Sequence, residues 1–285
     1  MGNFEIKLTS PAKINLFLEV FNRRDDGYHN LESLMSFCDF GDKICISEST
    51  ELTYKYDGDF GSELNIKDNI IHKTVLKVEK IIKEKININI KLTKIIPISS
   101  GMGGGSSNAA TLLKFLIDKY SIKLKKLELE KLLISLGADV PFCFYGRTAM
   151  VRGIGEKINF VKTIPNYFVI LINPRVHIST KKIFSKLDSK RTLEYNQNNQ
   201  SNFIDYLKSR KNDLEAPAIN QCNKIFKILD ILKNQTNSLL SRMTGSGATC
   251  FGLYKKRSDI DNAEKIIKDF DKDLWIKKTK ILNQI

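Results

Sequence analysis

The chain has 285 residues, 42% hydrophobic and 27% charged, with a formal net charge of +14; that suits one large or two packed smaller globular domains and favours anionic partners such as nucleic acid, a membrane surface or phosphorylated small molecules. The lysines recur along the whole chain, which is the pattern of a solvated surface, with steering of a polyanionic ligand such as ATP as the alternative. Five cysteines, no two at CxxC spacing, argue against a disulfide framework or a zinc site, and no apolar run approaches the roughly eighteen residues of a membrane span.

The N-terminus, MGNFEIKLTSPAK, lacks the apolar core of a signal peptide. Ile6 stands where a myristoylation signal wants Ser or Thr. The expected compartment is the cytoplasm, with the cysteines as reduced, mostly buried thiols. Phe4–Leu8, Ile14–Val20 and Lys43–Ser47 read as strands, with the polar, turn-rich stretch Asn22–Asn30 between the second and the third. From Asn69 to Lys85 the period becomes helical, placing Ile71, Val75, Val78 and Ile82 on one face. Ile86–Leu92 alternates as a strand.

The segment PISSGMGGGSSNAA, from Pro97, runs into a helix whose Ala109, Leu112, Leu113, Leu116, Ile117 and Tyr120 share a face. A second helix carries Leu129, Leu132, Leu133 and Leu136, and Gly137 stands where a C-terminal glycine would end it. RGIGEK, Arg152–Lys157, separates this half from a strand at Phe168–Ile172, a polar loop at Ser189–Ser201 and a helical face of Cys222, Ile225, Phe226, Leu229 and Leu232. MTGSGATCFGLY, residues 243–254, is a glycine loop entering a strand, and Asp259–Phe270 is a last amphipathic helix. The order of elements predicts a two-domain α+β protein, with domains at 1–155 and 156–285.

Residues 101–107 place four glycines in five positions ahead of a helix. Glycine lets backbone approach a ligand closely, and the helix start offers unpaired N–H groups and a positive dipole end. Together these make an anion site fit for a triphosphate, to which Ser106 and Ser107 add hydroxyls. The competing reading is a flexible loop with one of those serines as N-cap. No Gly-Lys-Ser/Thr follows, so this is not a Walker A loop. The G-x-G-x-x-G dinucleotide fingerprint does not match either.

The string resembles the second motif of the GHMP kinases. Ser10-Pro11-Ala12-Lys13-Ile14-Asn15 looks like their N-terminal motif, and Met243-Thr244-Gly245-Ser246-Gly247-Ala248 like their C-terminal glycine loop. Asp26-Gly27-Tyr28-His29 is similar to the cytidine-reading loop of a branch whose substrate carries a cytidine diphosphate, and Leu136–Phe142 (LGADVPF) to that branch's catalytic segment. Met102 and Ser100 replace the more usual Leu and Ala, both mild changes. The resemblance covers nearly the whole chain. It implies a GHMP-kinase fold, with an N-terminal domain like domain 2 of ribosomal protein S5, a ferredoxin-like C-terminal domain and the active site in the cleft between them. It also implies transfer of a phosphoryl group from ATP, carried with Mg²⁺, to the 2-hydroxyl of 4-diphosphocytidyl-2-C-methylerythritol. The partners it implies are that small molecule and no nucleic acid or membrane, in a monomer or homodimer.

Under that resemblance Asp139 is the general base that takes the hydroxyl proton; by residue type alone it is equally a helix N-cap ahead of Pro141. Lys13, inside an apolar stretch, is either a strand-edge surface residue or a buried charge; paired with Asp139 it would offset charge on the transferring phosphoryl. Pro97, Gly101, Gly103, Gly104, Gly105, Ser106, Ser107 and Asn108 would meet ATP, as would Asn69 and Lys94, two residues of common surface type. Asn15, on the same strand face as Lys13, would bind the substrate. Tyr28, His29 and Phe184 would stack on and read a cytosine; Phe184 reads equally as a core residue. Thr180, Gly245 and Gly247 would border the substrate. Phosphorylation of another alcohol, such as mevalonate or homoserine, competes with this reading but leaves DGYH without a base to hold. A basic nucleic-acid module leaves the glycine loops unexplained.

Overall fold

A computed structural model describes residues 4–65, 69–187 and 202–285; the expected loop at Ser189–Ser201 lies outside the described residues. In chain order the elements are β1 (Glu5–Arg23), β2 (His29–Glu48), β3 (Thr53–Asp57), α1 (Ile70–Ile82), β4 (Ile88–Thr93), α2 (Gly104–Lys119), α3 (Lys126–Leu136), α4 (Val140–Tyr145), β5 (Ala149–Gly153) and β6 (Lys157–Phe160). There follow β7 (Phe168–Asn173), α5 (Thr180–Phe184), α6 (Phe203–Ser209), α7 (Glu215–Ile219), α8 (Asn223–Asn234), β8 (Leu240–Met243), β9 (Cys250–Tyr254), α9 (Arg257–Phe270) and β10 (Trp275–Leu282). The expected α+β character is present.

The chain divides into two compact units that interleave in sequence. The first holds the described residues of Met1–Ala12, Phe40–Ile98 and Gly103–Gly146; the second holds Lys13–Asp39, Ser99–Met102 and the described residues of Arg147–Ile285. This differs from the single division expected near residue 155. The cause is the length of β1 and β2, 19 and 20 residues: each strand begins in one unit and ends in the other. Phe4–Leu8 and Ile14–Val20, expected as separate strands, are parts of β1, because the intervening Ser-Pro-Ala does not break it.

In the first unit the end of β2 pairs antiparallel with β4, Lys43 opposite Thr93 through Glu48 opposite Ile88, and β3 runs parallel to β4. Alternation decides the faces: Ile44, Ile46, Ile88, Ile90 and Leu92 are buried, as the two-residue period of a strand requires. The apolar stripes of α1 (Ile71, Val75, Val78) and α2 (Leu112, Leu113, Leu116) are buried as well, and the two helices pack on each other. Asn69 caps α1 by accepting a hydrogen bond from Ile71 N at 2.9 Å, an arrangement worth about 1 kcal/mol.

In the second unit β10 pairs antiparallel with β7, β7 with β9, and β9 with β8. β10 also meets β2 at Ile281 opposite Cys38, and β5 lies between β2 and β6. Helices α8 and α9 bring Ile225, Ile228, Leu232, Ile260, Ala263 and Ile267 onto Ile170, Ile172 and Cys250 of the sheet, in one apolar cluster. The five thiols are free, and Cys38, Cys143, Cys222 and Cys250 are buried. Burial pushes the thiols of Cys38 and Cys250 well above their ordinary pKa, so both stay protonated and inert.

Candidate active site

The glycine loop leads directly into α2 in the first unit. Gly103 is the N-cap, at φ 63° in the left-handed region, and the first helical hydrogen bond runs from Ser107 N to Gly103 O at 2.9 Å. The N–H groups of residues 104–106 precede that bond and are the donors a helix start leaves for an anion. Gly105 is exposed and Ser106 half-buried, whereas Ser107 and Asn108 are buried. Neither serine is the N-cap. Ser107 is fixed from beneath, where its carbonyl accepts from Ser10 Oγ at 3.3 Å.

Beneath the loop lies a buried polar hub that the sequence does not announce. Asp42 Oδ1 accepts from Ile95 N at 2.7 Å and Ile96 N at 2.8 Å. Its Oδ2 accepts from Lys94 Nζ at 2.7 Å and Asn108 Nδ2 at 3.0 Å. Lys94 also donates to Ile96 O at 2.5 Å. Desolvation holds the Lys94 pKa below its ordinary value, with Asp42 opposing that fall. A Cβ on Gly104 would stand 3.0 Å from the Lys94 ammonium, so the loop lies close over this charge. The surface character read for Asn69 and Lys94 is therefore corrected. Both are buried; one caps a helix and the other supports the phosphate loop from within. Pro97, in the segment leading to the loop, is also buried.

Asp139 occupies the N-cap position of α4, where Pro141 sits in the first turn, but its side chain makes no capping hydrogen bond. The residue is half-buried. The position is thus a cap by backbone geometry, while the carboxylate is not consumed by the helix it precedes. A Gly146 C-cap closes that short helix.

In the second unit Lys13 is 3% exposed, which removes the strand-edge reading. Its ammonium donates to Asn15 Oδ1 at 2.7 Å. Asn15 is fully buried. Its Nδ2 donates to Ser33 Oγ at 2.8 Å, and its backbone N–H donates to Thr244 Oγ1 at 2.9 Å. Asn15, expected to bind substrate, has its side-chain donor and acceptor engaged inside the unit, and its direct contact is with Lys13. The cause is the strand pleat, which turns residues 13 and 15 to the same buried face.

The third glycine loop packs on the start of the second. A Cβ on Gly101 would meet Thr244 O at 2.2 Å, and Gly101 has φ 78°. Two requirements, a left-handed backbone and a backbone contact, thus make glycine obligatory there. Asn212 holds the third loop by donating to Met243 O at 2.8 Å and Gly245 O at 2.9 Å, while its own Oδ1 accepts from Leu214 N at 3.0 Å. The Arg242 guanidinium is spent on the carbonyls of Leu16, Leu207 and Arg210. Neither Asn212 nor Arg242 stands out in the sequence. RKNDLEAP reads as an ordinary polar turn, and Arg242 is one cation in a short strand that it shares with Leu240, Ser241 and Met243.

DGYH forms the turn between β1 and β2. Tyr28 N donates to Asp26 Oδ1 at 3.1 Å, and Arg24 N to Tyr28 O at 2.7 Å. Tyr28 is 62% exposed, an unusual degree for an aromatic ring. His29 faces Phe184, with ring centroids 5.7 Å apart. Burial, then the nearby Arg23, lowers the His29 pKa from its ordinary 6.5, which keeps the imidazole neutral near pH 7 with one donor and one acceptor. Phe184 is half-buried against the apolar cluster, so its ring serves the core and the His29 contact together. The exposed Thr180 shares a hydrogen bond with Ser246 of the third loop at 2.7 Å. Tyr28, His29, Thr180, Phe184, Gly245 and Gly247 all belong to the second unit, as do Lys13 and Asn15; the phosphate loop from Gly103 onward and Asp139 belong to the first.

Two family models match, the GHMP kinases N terminal domain over residues 69–147 and the GHMP kinases C terminal region over 192–273. The chain belongs to the GHMP kinases, and is a small-molecule kinase with ATP as its co-substrate. It is 36% identical over 273 residues to a 4-diphosphocytidyl-2-C-methyl-D-erythritol kinase of Chelativorans sp. (strain BNC1), covering 92% of each chain. It is 34% identical to the kinase of the same description from Rhizobium etli (strain CIAT 652), covering 98% of this chain and 96% of that one. Among solved structures, a 4-(cytidine 5'-diphospho)-2C-methyl-D-erythritol kinase superimposes with a TM-score of 0.76 at 24% identity, covering 97% of this chain and 99% of the other. Homoserine kinase from Cytophaga hutchinsonii superimposes with 0.66 at 16% identity over 98% and 95%. At those identities the structures share the fold.

Proposed function

We propose that this chain transfers the γ-phosphoryl group of ATP to the 2-hydroxyl of 4-diphosphocytidyl-2-C-methyl-D-erythritol, giving the 2-phosphate and ADP for isoprenoid precursor synthesis. The observation that carries this is likeness over more than nine-tenths of the length to kinases described as acting on that substrate, together with a DGYH turn that presents an exposed tyrosine and a neutral histidine beside an aromatic ring. Those groups fit a cytosine: flat faces for stacking and a fixed donor and acceptor for its edge. Mevalonate and homoserine carry no base to occupy them.

In this reading the N–H groups opening α2, with the Ser106 hydroxyl, hold the ATP phosphates. Asp139 accepts the proton of the attacking hydroxyl, and Lys13 offsets charge developing on the transferring phosphoryl. The cytidine end supplies remote binding energy that places the hydroxyl for in-line attack. Magnesium travels with the nucleotide. A magnesium ion bound there would neutralise phosphate charge. Thr180 and the Gly245–Gly247 loop border the sugar alcohol.

The test is ADP release from Mg-ATP with 4-diphosphocytidyl-methylerythritol, with mevalonate and homoserine as parallel acceptors. ADP formed only with the cytidyl substrate is the expected result; ADP formed only with another alcohol overturns the substrate assignment. Asp139→Ala is expected to abolish nearly all turnover while still binding the cytidyl substrate, and unchanged turnover removes Asp139 as base.

A further inference from the structure

We infer that Ser33 is a positioning residue for the phosphoryl-transfer step, acting through Asn15 to set the place of the Lys13 ammonium. The inference rests on the reading of Lys13 given above. An ammonium can only donate, so the Asn15 atom 2.7 Å from Lys13 Nζ must be the amide oxygen. That leaves the amide nitrogen facing Ser33 Oγ, 2.8 Å away. A serine hydroxyl has one proton, and Ser33 gives it to Phe17 O at 2.5 Å; toward Asn15 it can therefore only accept. The chain of donors from Lys13 and Asn15 through Ser33 to Phe17 O has one consistent direction, with both Asn15 and Ser33 fully buried. Within such a site an unmet donor or acceptor is costly, so the amide is held in a single orientation.

Replacing Ser33 by alanine removes the acceptor of the Asn15 amide N–H. The Asn15 oxygen stays on the Lys13 ammonium, which can only donate, but its buried Nδ2 is left unmet and the side chain turns toward another acceptor. Lys13, bonded to the oxygen of that amide, moves with it. A displaced Lys13 affects charge that develops in the transition state, and so kcat; it does not touch the cytidine turn or the phosphate loop, and so leaves KM. General loosening of the fold would move both together.

Steady-state kinetics with both substrates varied tests this. Ser33→Ala is expected to lose about tenfold in kcat with both KM values within about twofold of wild type, and Ser33→Thr, which restores the hydroxyl, to return kcat to within about threefold. If Ser33→Ala does not fold, Ser33→Cys is measured in its place by the same criteria, because a thiol is a weak acceptor. The inference is overturned if the variant keeps kcat within about twofold, if KM rises as much as kcat falls, or if Ser33→Thr stays as slow as Ser33→Ala. Lys13→Ala is run alongside. Wild-type kcat in that variant would overturn the role of Lys13 and this inference with it; a slow Lys13→Ala beside a fast Ser33→Ala would overturn this inference alone.

Discussion

Asp42→Asn should destabilise the protein by about 3–5 kcal/mol, the cost of stranding one member of a buried ion pair. Asp42 is fully buried and accepts four hydrogen bonds, from Ile95 N, Ile96 N, Lys94 Nζ and Asn108 Nδ2. An amide at this position keeps one acceptor for the two backbone N–H groups, but turns a donor toward the Lys94 ammonium and the Asn108 amide. Against a typical stability of about 5–15 kcal/mol such a loss is readily measured by urea denaturation followed by circular dichroism. Lys94→Met should cost less, because Asp42 keeps three of its four donors. The double variant should lose less than the sum, because the stranded charge is gone. The pH dependence has a definite sign. Burial holds the folded-state pKa of Lys94 below its ordinary 10.5, and Asp42 is the group that opposes the fall. The unfolded chain therefore keeps this proton more tightly, and stability gains from this group as pH rises through the folded-state pKa toward about 10.5. Removing Asp42 lowers the folded-state value further, so the deficit of Asp42→Asn should narrow as the pH is raised. A deficit below about 1 kcal/mol, or one that widens toward alkaline pH, would refute the reasoning.

Tyr28→Ala should raise KM for the cytidyl substrate about tenfold or more while leaving KM for ATP unchanged, since base stacking contributes about 1–3 kcal/mol; equal changes in both constants would argue against a base at DGYH. Affinity for the cytidyl substrate should stay level down to the ordinary histidine range and fall only below about pH 6.5, because the folded-state pKa of His29 is depressed by burial and by Arg23. The stability contribution of His29 should fall over the same window, since the unfolded chain takes up that proton first; calorimetry of binding and melting across pH would show both. Gly101→Ala should cost stability, about 1–3 kcal/mol or more, because its Cβ would meet Thr244 O at 2.2 Å at a φ of 78°. Gly105→Ala meets only Ile70 Cγ2 at 3.6 Å, so melting should be unchanged or raised while KM for ATP rises. Equal melting losses in the two variants would contradict that contrast.

Periodicity located most of the elements. The apolar stripes of α1, α2, α3 and α9 are readable from residue spacing, whereas on α8 the expected Phe226 is exposed and Ile228 is buried in its stead; the observed ends of α1 and α9 differ by a few residues from those expected, as capping and fraying allow. Lys13 was legible as an anomaly, a cation between apolar neighbours that has no solvent face in a strand. Lys94 was not, because KLTKIIP offers lysines that look interchangeable; Lys91 on β4 makes a half-exposed pair with Asp57, whereas Lys94, just past the end of that strand, is 4% exposed. The glycine loops and DGYH were legible because each needs unusual residues within a few positions. The interleaving of the two units was not, since nothing local in β1 or β2 marks where a continuous strand leaves one unit for the other.

The groups that sequence reading missed share a physical cause. Asp42 and Lys94 are 52 positions apart, and Asn212 stands 33 from Gly245. A buried polar side chain is acceptable only when its partner arrives, and strand register and loop packing decide which partner that is. Pattern within a window therefore flags the polar residue at most and cannot name its mate. Asp42 had one local mark: it follows Gly41, the one glycine of β2. The structure explains that glycine, because a Cβ there would meet Ser10 O at 2.0 Å. β1 and β2 thus come together at Gly41, one residue from the carboxylate that supports the phosphate loop. Substituting Gly41 should therefore disturb ATP binding as well as stability, although the residue is remote in sequence from the loop it affects.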